Sequence, residues 1–150
     1  MGTNEQKGIH TMKIMAIDYG DARTGIAISD LLHSIVGSTT VIHSRNMDKT
    51  LAEVCWIVQE NDVGEIAVGL PKNMDGTEGA RADLCRTFAQ KVEEATGKPV
   101  KLWDERRTTV EAHNILSAHN YHGKKRKDTV DAVAASLILE GYLAFRKRQQ

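Results

Sequence analysis

Four acidic positions stand where this sequence could do chemistry. Asp18 ends the apolar run that starts at Lys13, the pair Asp104-Glu105 ends a second run from Val100, and Asp131 lies near the start of the last periodic apolar segment. A short apolar run that stops at an acid reads as a buried strand carrying a carboxylate at its end. Each acid alone has an ordinary role, capping a turn or answering a helix dipole for less than about 1 kcal/mol. Gathered in a small space, the same carboxylates would repel one another and raise one another's pKa unless a cation neutralised them. Oxygen donors without His or Cys suit Mg²⁺ or Mn²⁺. Arg23, Arg106 and Lys125 stand near these acids in the sequence or in the basic run before the last helix, where they would bind phosphate oxygens. Together the two sets point to metal-assisted hydrolysis of a phosphodiester.

The elements that must position these groups follow from the patterning. Gly20 and Gly25 bound a turn that joins the first strand to the run Ile26-Ala27-Ile28, and the β-branched stretch 38–44 continues an antiparallel meander. Leu51, Val54, Cys55 and Val58 give a helix from Met47 to about Glu60, and residues 65–71 form a fourth strand stopped by Pro71. A polar loop follows, in which Asn73 and Asp75 shape a turn at Gly76. The next helix carries the stripe Leu84, Phe88, Val92 and Ala95 and ends at Gly97 and Pro99, before a fifth strand over 100–105. Thr108 and Glu111 make a capping box for a short helix to Leu116, followed by a basic loop from His119 to Lys127. The last helix starts with Asp128 as its N-cap and has the stripe Val130, Val133, Ala134, Leu137, Ile138 and Gly141, which puts Asp131 at the stripe's flank. Strand-helix-strand crossovers are parallel and right-handed, so strands one, four and five present their carboxyl ends on one edge, where α/β sheets bind ligands. Alternation turns only one of Asp104 and Glu105 toward Asp18, and either choice is open.

Composition bounds the alternatives. With 41% hydrophobic and 27% charged residues in 150, the chain reads as one ordinary globular domain, and no stretch is apolar for long enough to span a bilayer. The absence of a secretory apolar region makes the cytoplasm the expected compartment. Equal numbers of acidic and basic residues, 20 each, argue against a general polyanion binder, so basic character is local, in 124–127 and 146–148. Cys55 and Cys85 read as small buried hydrophobes, and Trp56 and Trp103 as core. Residues 1–12 are expected to be a disordered extension or a cloning remnant, leaving the domain at 13–150.

Four segments carry a family resemblance: Asp18-x-Gly20-x-x-Arg23-x-Gly25-x-Ala27, Val68-Gly69-Leu70-Pro71-x-Asn73-Met74-Asp75-Gly76-Thr77, Asp104-Glu105-Arg106-x-Thr108-Thr109-x-Glu111-Ala112, and Asp131-x-x-Ala134-Ala135-x-x-Ile138-Leu139. In this order they resemble the motifs of the YqgF family, also described as pre-16S rRNA nucleases or Holliday junction resolvases. The resemblance spans Lys13 to Ala144. It implies an RNase H-like fold related to the RuvC resolvases: a mixed five-stranded sheet, with a three-stranded meander and two parallel strands, flanked by helices. It also implies a bacterial cytoplasmic nuclease that matures the 5′ end of 16S rRNA, with the ribosomal particle as a further partner and no membrane. The implied metal site comprises Asp18, an acid of the Asp104-Glu105 pair with Glu105 favoured, and Asp131. Arg23, Arg106 and Lys125 are the implied phosphate contacts. Resolution of four-way DNA junctions, which would need a dimer presenting two sites, is the alternative activity, and non-catalytic rRNA binding is the alternative from another class; the chain itself is expected to be a monomer or a homodimer.

Overall fold

The computed structural model describes the backbone of residues 12–107 and 123–149 and the side chains of 12–106 and 128–149. Strands β1 (Lys13–Asp18), β2 (Arg23–Ser29) and β3 (Val36–His43) are followed by helix α1 (Met47–Glu60), β4 (Val63–Leu70), α2 (Ala80–Thr96) and β5 (Val100–Asp104). A 3-10 turn, Glu105–Arg107, closes β5, and helix α3 runs over Gly123–Arg148. The sheet has the order β3-β2-β1-β4-β5, with β1 antiparallel to β2, β2 antiparallel to β3, and β1, β4 and β5 parallel. The expected meander and the two crossovers are therefore present, and the carboxyl ends of β1, β4 and β5 share an edge.

Two faces of the sheet are made from different residues. Met15, Ile17, Ile26, Ile28, Ile66 and Val68 pack under α1 and α2, where Phe88 is fully buried and stacks on Tyr19 with ring centroids 4.3 Å apart. Burying such a side chain contributes roughly 1.5–3 kcal/mol. The opposite face is Ala16, Ala27 and Ala67 with Ile14, and it receives Ala135, Ile138, Leu139 and Tyr142 of α3. Small residues there let the helix lie close. A Cβ on Gly25 would overlap the backbone oxygen of Asp131 and press on Ala135, and one on Gly141 would stand 2.8 Å from the Trp103 ring.

Close approach of α3 also explains where the patterning misleads. The buried stripe is Ala135, Ile138, Leu139, Tyr142 and Leu143, one residue round from the expected one, because this helix is apolar on more than one side and the Gly25 contact selects its inner face. Asp131, four residues before Ala135, is thereby on the inner face and not at its flank. The helix starts at Gly123, so the run 124–127 is helical backbone rather than a loop, and Asp128 is an interior residue rather than the N-cap. Lys and Arg are good helix formers, and the nearest breaker is Gly123.

Other differences are local. Leu84 is 41% exposed at the margin of a stripe made by Ala82, Cys85, Phe88, Ala89 and Val92. Trp56 is 62% exposed because Thr50, Val54 and Val58 define the inner side of α1 and position 56 lies far round the helix from them. Trp103 packs edge-on to Tyr142 and Phe145, Cys85 is buried, and Cys55 is half-buried. The expected helix over 108–116 and the expected extension before Met12 lie outside the described residues. Among the described residues, no helix is long and apolar enough to cross a membrane.

Because Gly25 admits α3 against β2, Gly25→Ala is expected to destabilise the protein by about 1–3 kcal/mol through overpacking against backbone. Urea unfolding should show a lower midpoint with an unchanged slope; an unchanged midpoint would mean that α3 does not lie where described.

Candidate active site

Asp18, the last residue of β1, pairs in register with Gly25 of β2, while Ile17 pairs with Val68 of β4. By alternation with Ile14 and Ala16, Asp18 faces the side of the sheet covered by α3. Its neighbour on β4 is Gly69, and the Glu105 side chain lies over that glycine: a Cβ there would overlap the Glu105 carboxylate. A glycine inside a strand commonly marks such a close approach. Glu105 is thereby brought to Asp18, and the two carboxyls share a hydrogen bond. Burial, first, and then the Glu105 hydrogen bond and charge hold the Asp18 carboxyl well above its ordinary range, against a smaller opposing pull from the Arg81 guanidinium.

The choice between the adjacent acids is decided by where β5 stops. Trp103 pairs with Gly69 and faces α3, so Asp104, next along the strand, points to the other face. Glu105 has already left the strand for the 3-10 turn, which carries its side chain back over Gly69. Asp104 is instead gripped by Arg106, whose Nη2 lies 2.6 Å and Nε 3.0 Å from Oδ2, and whose backbone N–H donates to Oδ1 at 3.0 Å. This guanidinium holds the Asp104 carboxyl below its usual value.

Asp131 comes to the same edge from α3. Arg23, at the start of β2, donates from Nε to its Oδ2 at 2.8 Å, and the side chains are 33% and 17% exposed, so this is a shielded ion pair. Burial raises the Asp131 carboxyl; Arg23 opposes the shift, and the charges of Asp18 and Asp128 add to it. Asp128 lies one turn earlier and faces His43 at the end of β3, with Nε2 3.3 Å from Oδ2. Lys125 is in the first turns of α3, and its side chain is not among those described.

One basic residue of the edge is not marked by any motif. Arg81, in the first turn of α2, donates to the Tyr19 carbonyl and, at 2.8 Å, to Asp21, with its guanidinium 5.6 Å from the Tyr19 ring centroid. It braces the turn that follows Asp18. Only the topology reveals it, because the helix after β4 must start at the sheet edge where β1 ends. Gly69 had a visible signal, a glycine one residue before the end of an apolar strand. Among the described residues, no three carboxylates converge closely enough to ligate one ion together; the Asp18-Glu105 pair and the Arg23-bound Asp131 are neighbouring but separate groups.

The β3-β2-β1-β4-β5 mixed sheet flanked by helices, with an acid pair on its carboxyl edge and an acid of the last helix beside it, is an RNase H-like fold. The family model RuvX, described as a Holliday junction resolvase, matches residues 12–145, and the chain belongs to this family, the one its four motifs resemble. It is thus a hydrolase of phosphodiester bonds. Among its relatives, a protein of Halothermothrix orenii named "Putative pre-16S rRNA nuclease" is 43% identical over 137 residues, covering 91% of this chain and 98% of the relative. A relative of the same name from Carboxydothermus hydrogenoformans is 41% identical, covering 91% and 99%. The Thermus thermophilus RuvC structure solved with a Holliday junction substrate has the same fold, with a TM-score of 0.56 at 15% identity over 91% of this chain and 96% of that one.

Because the folded protein holds the Asp18 proton more tightly than the unfolded chain does, the buried carboxyl costs stability as pH rises from the ordinary Asp range through its raised folded value. Asp18→Asn is therefore expected to raise the melting temperature of the metal-free protein, more at pH 7 than at pH 4. An equal or opposite effect at the two pH values in calorimetry would contradict the raised Asp18 carboxyl.

Proposed function

We propose that the chain is a divalent-metal-dependent endonuclease that trims the 5′ end of pre-16S rRNA in the cytoplasm. The observation that carries the reading is the Asp18-Glu105 pair, two carboxyl groups set side by side at a sheet edge, with Glu105 packed over Gly69 and the Asp18 carboxyl raised above its ordinary range. Nothing in folding requires this arrangement, whereas a site that handles phosphate oxygens and a cation does. The substrate assignment is supported by the names of relatives that match nearly the whole chain at more than 40% identity.

The donor set suits Mg²⁺ or Mn²⁺: it offers carboxylate oxygens alone, and the burial and the Glu105 contact that raise the Asp18 carboxyl are what a divalent cation would offset. Asp18 and Glu105 are the principal ligands in this reading; Asp131, which Arg23 holds as a neighbouring but separate group, would join them as a third oxygen donor only by releasing that guanidinium. When bound, the metal supplies an activated water and stabilisation of the leaving oxygen. Asp104 is assigned a different duty: it fixes the Arg106 guanidinium at the rim of the site. Arg23, Arg81 and Arg106 lie at this edge and hold the phosphate backbone across it, and Lys125, in the first turns of α3, is a further candidate phosphate contact. Arginine suits this role because its planar fork matches two phosphate oxygens.

The test is cleavage of a labelled precursor 16S 5′-end RNA in Mg²⁺ or Mn²⁺. Asp18→Asn and Glu105→Gln should each lower the cleavage rate by about 10²–10⁴-fold, the range for losing a group that acts in the transition state, while RNA affinity stays within about twofold because the basic edge is intact. Asp104→Asn should cost less than about tenfold, as loss of a group that acts through its neighbour. Cleavage that survives Asp18→Asn, or that proceeds in EDTA, would contradict the reading. A four-way DNA junction cut faster than the RNA would replace the substrate assignment and leave the site unchanged.

A further inference from the structure

The most specific segment of the sequence, Gly69-Leu70-Pro71-Lys72-Asn73-Met74-Asp75-Gly76-Thr77, does more than supply the glycine under Glu105. Beyond Pro71 it leaves the end of β4 as a loop and turns back to α2. At its tip Met74 is 92% exposed. A solitary exposed apolar residue is ordinary on a protein surface and by itself means nothing. Met74 differs because the turn that carries it is fixed by hydrogen bonds of its own backbone and side chains.

Asn73 N–H donates to the Thr77 carbonyl at 2.8 Å, and Gly76 N–H donates to the Asn73 carbonyl at 2.8 Å, closing a tight turn around residues 74 and 75. Side chains repeat the clasp: Asn73 Nδ2 donates to Thr77 Oγ1 at 2.9 Å, and Thr77 donates to Asp75 Oδ1 from both its N–H, at 2.9 Å, and its hydroxyl, at 2.6 Å. Gly76 sits at φ +90°, a conformation that a side chain would oppose, so the turn depends on glycine at that position. The Asn73, Asp75 and Thr77 side chains thus hydrogen-bond one another within the turn, while Met74 stands free of that clasp. The tip is also tied to the site. Arg106, the residue after Glu105, reaches the Met74 carbonyl with Nη1 at 3.5 Å while its other nitrogens hold Asp104.

Resting on the nuclease reading above, we propose that Met74 is a base-contacting wedge: its side chain inserts against a nucleobase next to the scissile phosphate and so sets which phosphodiester is presented to the Asp18-Glu105 pair. The phosphate contacts of the arginine edge carry no sequence or register information, so something must fix the strand's position along that edge. An apolar side chain placed between base steps does so by unstacking them locally. Methionine is suited to it, being unbranched, polarisable and able to lie flat on an aromatic ring. The rigid turn means that little ordering is lost when the base arrives. A single-stranded RNA, whose bases unstack readily, is the substrate this wedge fits best.

The experiment uses the full chain and a precursor 16S 5′-end RNA in which 2-aminopurine is scanned one position at a time, bound in EDTA so that no cleavage occurs. The proposal expects a several-fold fluorescence increase confined to one or two adjacent positions, abolished by Met74→Ala and Met74→Gln and retained by Met74→Leu and Met74→Phe. In Mg²⁺ or Mn²⁺, Met74→Ala should lower kcat/KM by about tenfold, the equivalent of one lost base contact, and spread the cuts over neighbouring phosphates. A flat scan with wild-type protein, or a response unchanged in Met74→Ala, overturns the wedge. Wild-type cleavage with a flat scan sinks the wedge alone, whereas a Met74-dependent response without any cleavage sinks the nuclease reading and leaves the base contact standing. Thermal unfolding of each variant should match wild type, as the Met74 side chain is 92% exposed.

Discussion

A missing side chain at Gly69 is the constraint on which the site depends. β4 is central in the sheet and otherwise filled by Ile66, Ala67 and Val68, all fully buried. At its penultimate residue the face toward α3 is bare backbone, and into this space the Glu105 carboxylate folds from the turn after β5. The result is an acid pair assembled from two strands that are not neighbours, β1 and β5, across the strand that separates them. Any side chain on β4 at this point would force the two acids apart. The pair's cost in desolvation and mutual repulsion is visible in the raised Asp18 carboxyl, and the hydrophobic layers on both faces of the sheet outweigh it.

A second use of small residues places the third acid. Ala16, Gly25, Ala27 and Ala67 flatten one face, so that α3 settles against β2 with Asp131 on its inner side, within reach of Arg23. The other face is built from Ile, Val and Met and carries α1 and α2, which act chiefly as a hydrophobic lid. Only the first turn of α2 enters the functional edge, through Arg81. The asymmetry between the two faces thus separates a layer that stabilises from one that delivers a functional group, although both helical layers are sequestered apolar packing in their interiors.

Most of the architecture could be read from the residues. Alternating and continuous apolar runs located all five strands, and the crossovers required Asp18 and the end of β5 to meet on one edge. Boundaries and helix faces were less legible, for identifiable reasons. In α3 apolar residues occupy more than one side, so periodicity alone could not say that Ala135 and Leu139 go deepest; the Gly25 contact, between residues 106 or more positions apart, decides it. Trp56 looked like core by type, yet the position of Val54 and Val58 turns it to solvent. The choice between Asp104 and Glu105 needed the register of β4 with β5 and the residue at which the strand ends. Arg81 carried no local pattern and became visible only when α2 was placed against the turn after β1.

The central claim is that Glu105, lying over Gly69, joins Asp18 to form the seat of a divalent cation. The most direct measurement is Mn²⁺ binding to wild type and to Gly69→Ala by electron paramagnetic resonance, since that variant keeps every carboxylate and disturbs only their arrangement. The account predicts affinity weaker by at least about tenfold in Gly69→Ala, within the range for misdirecting metal ligands, with the fold intact by circular dichroism. Equal Mn²⁺ affinity in the two proteins would contradict it.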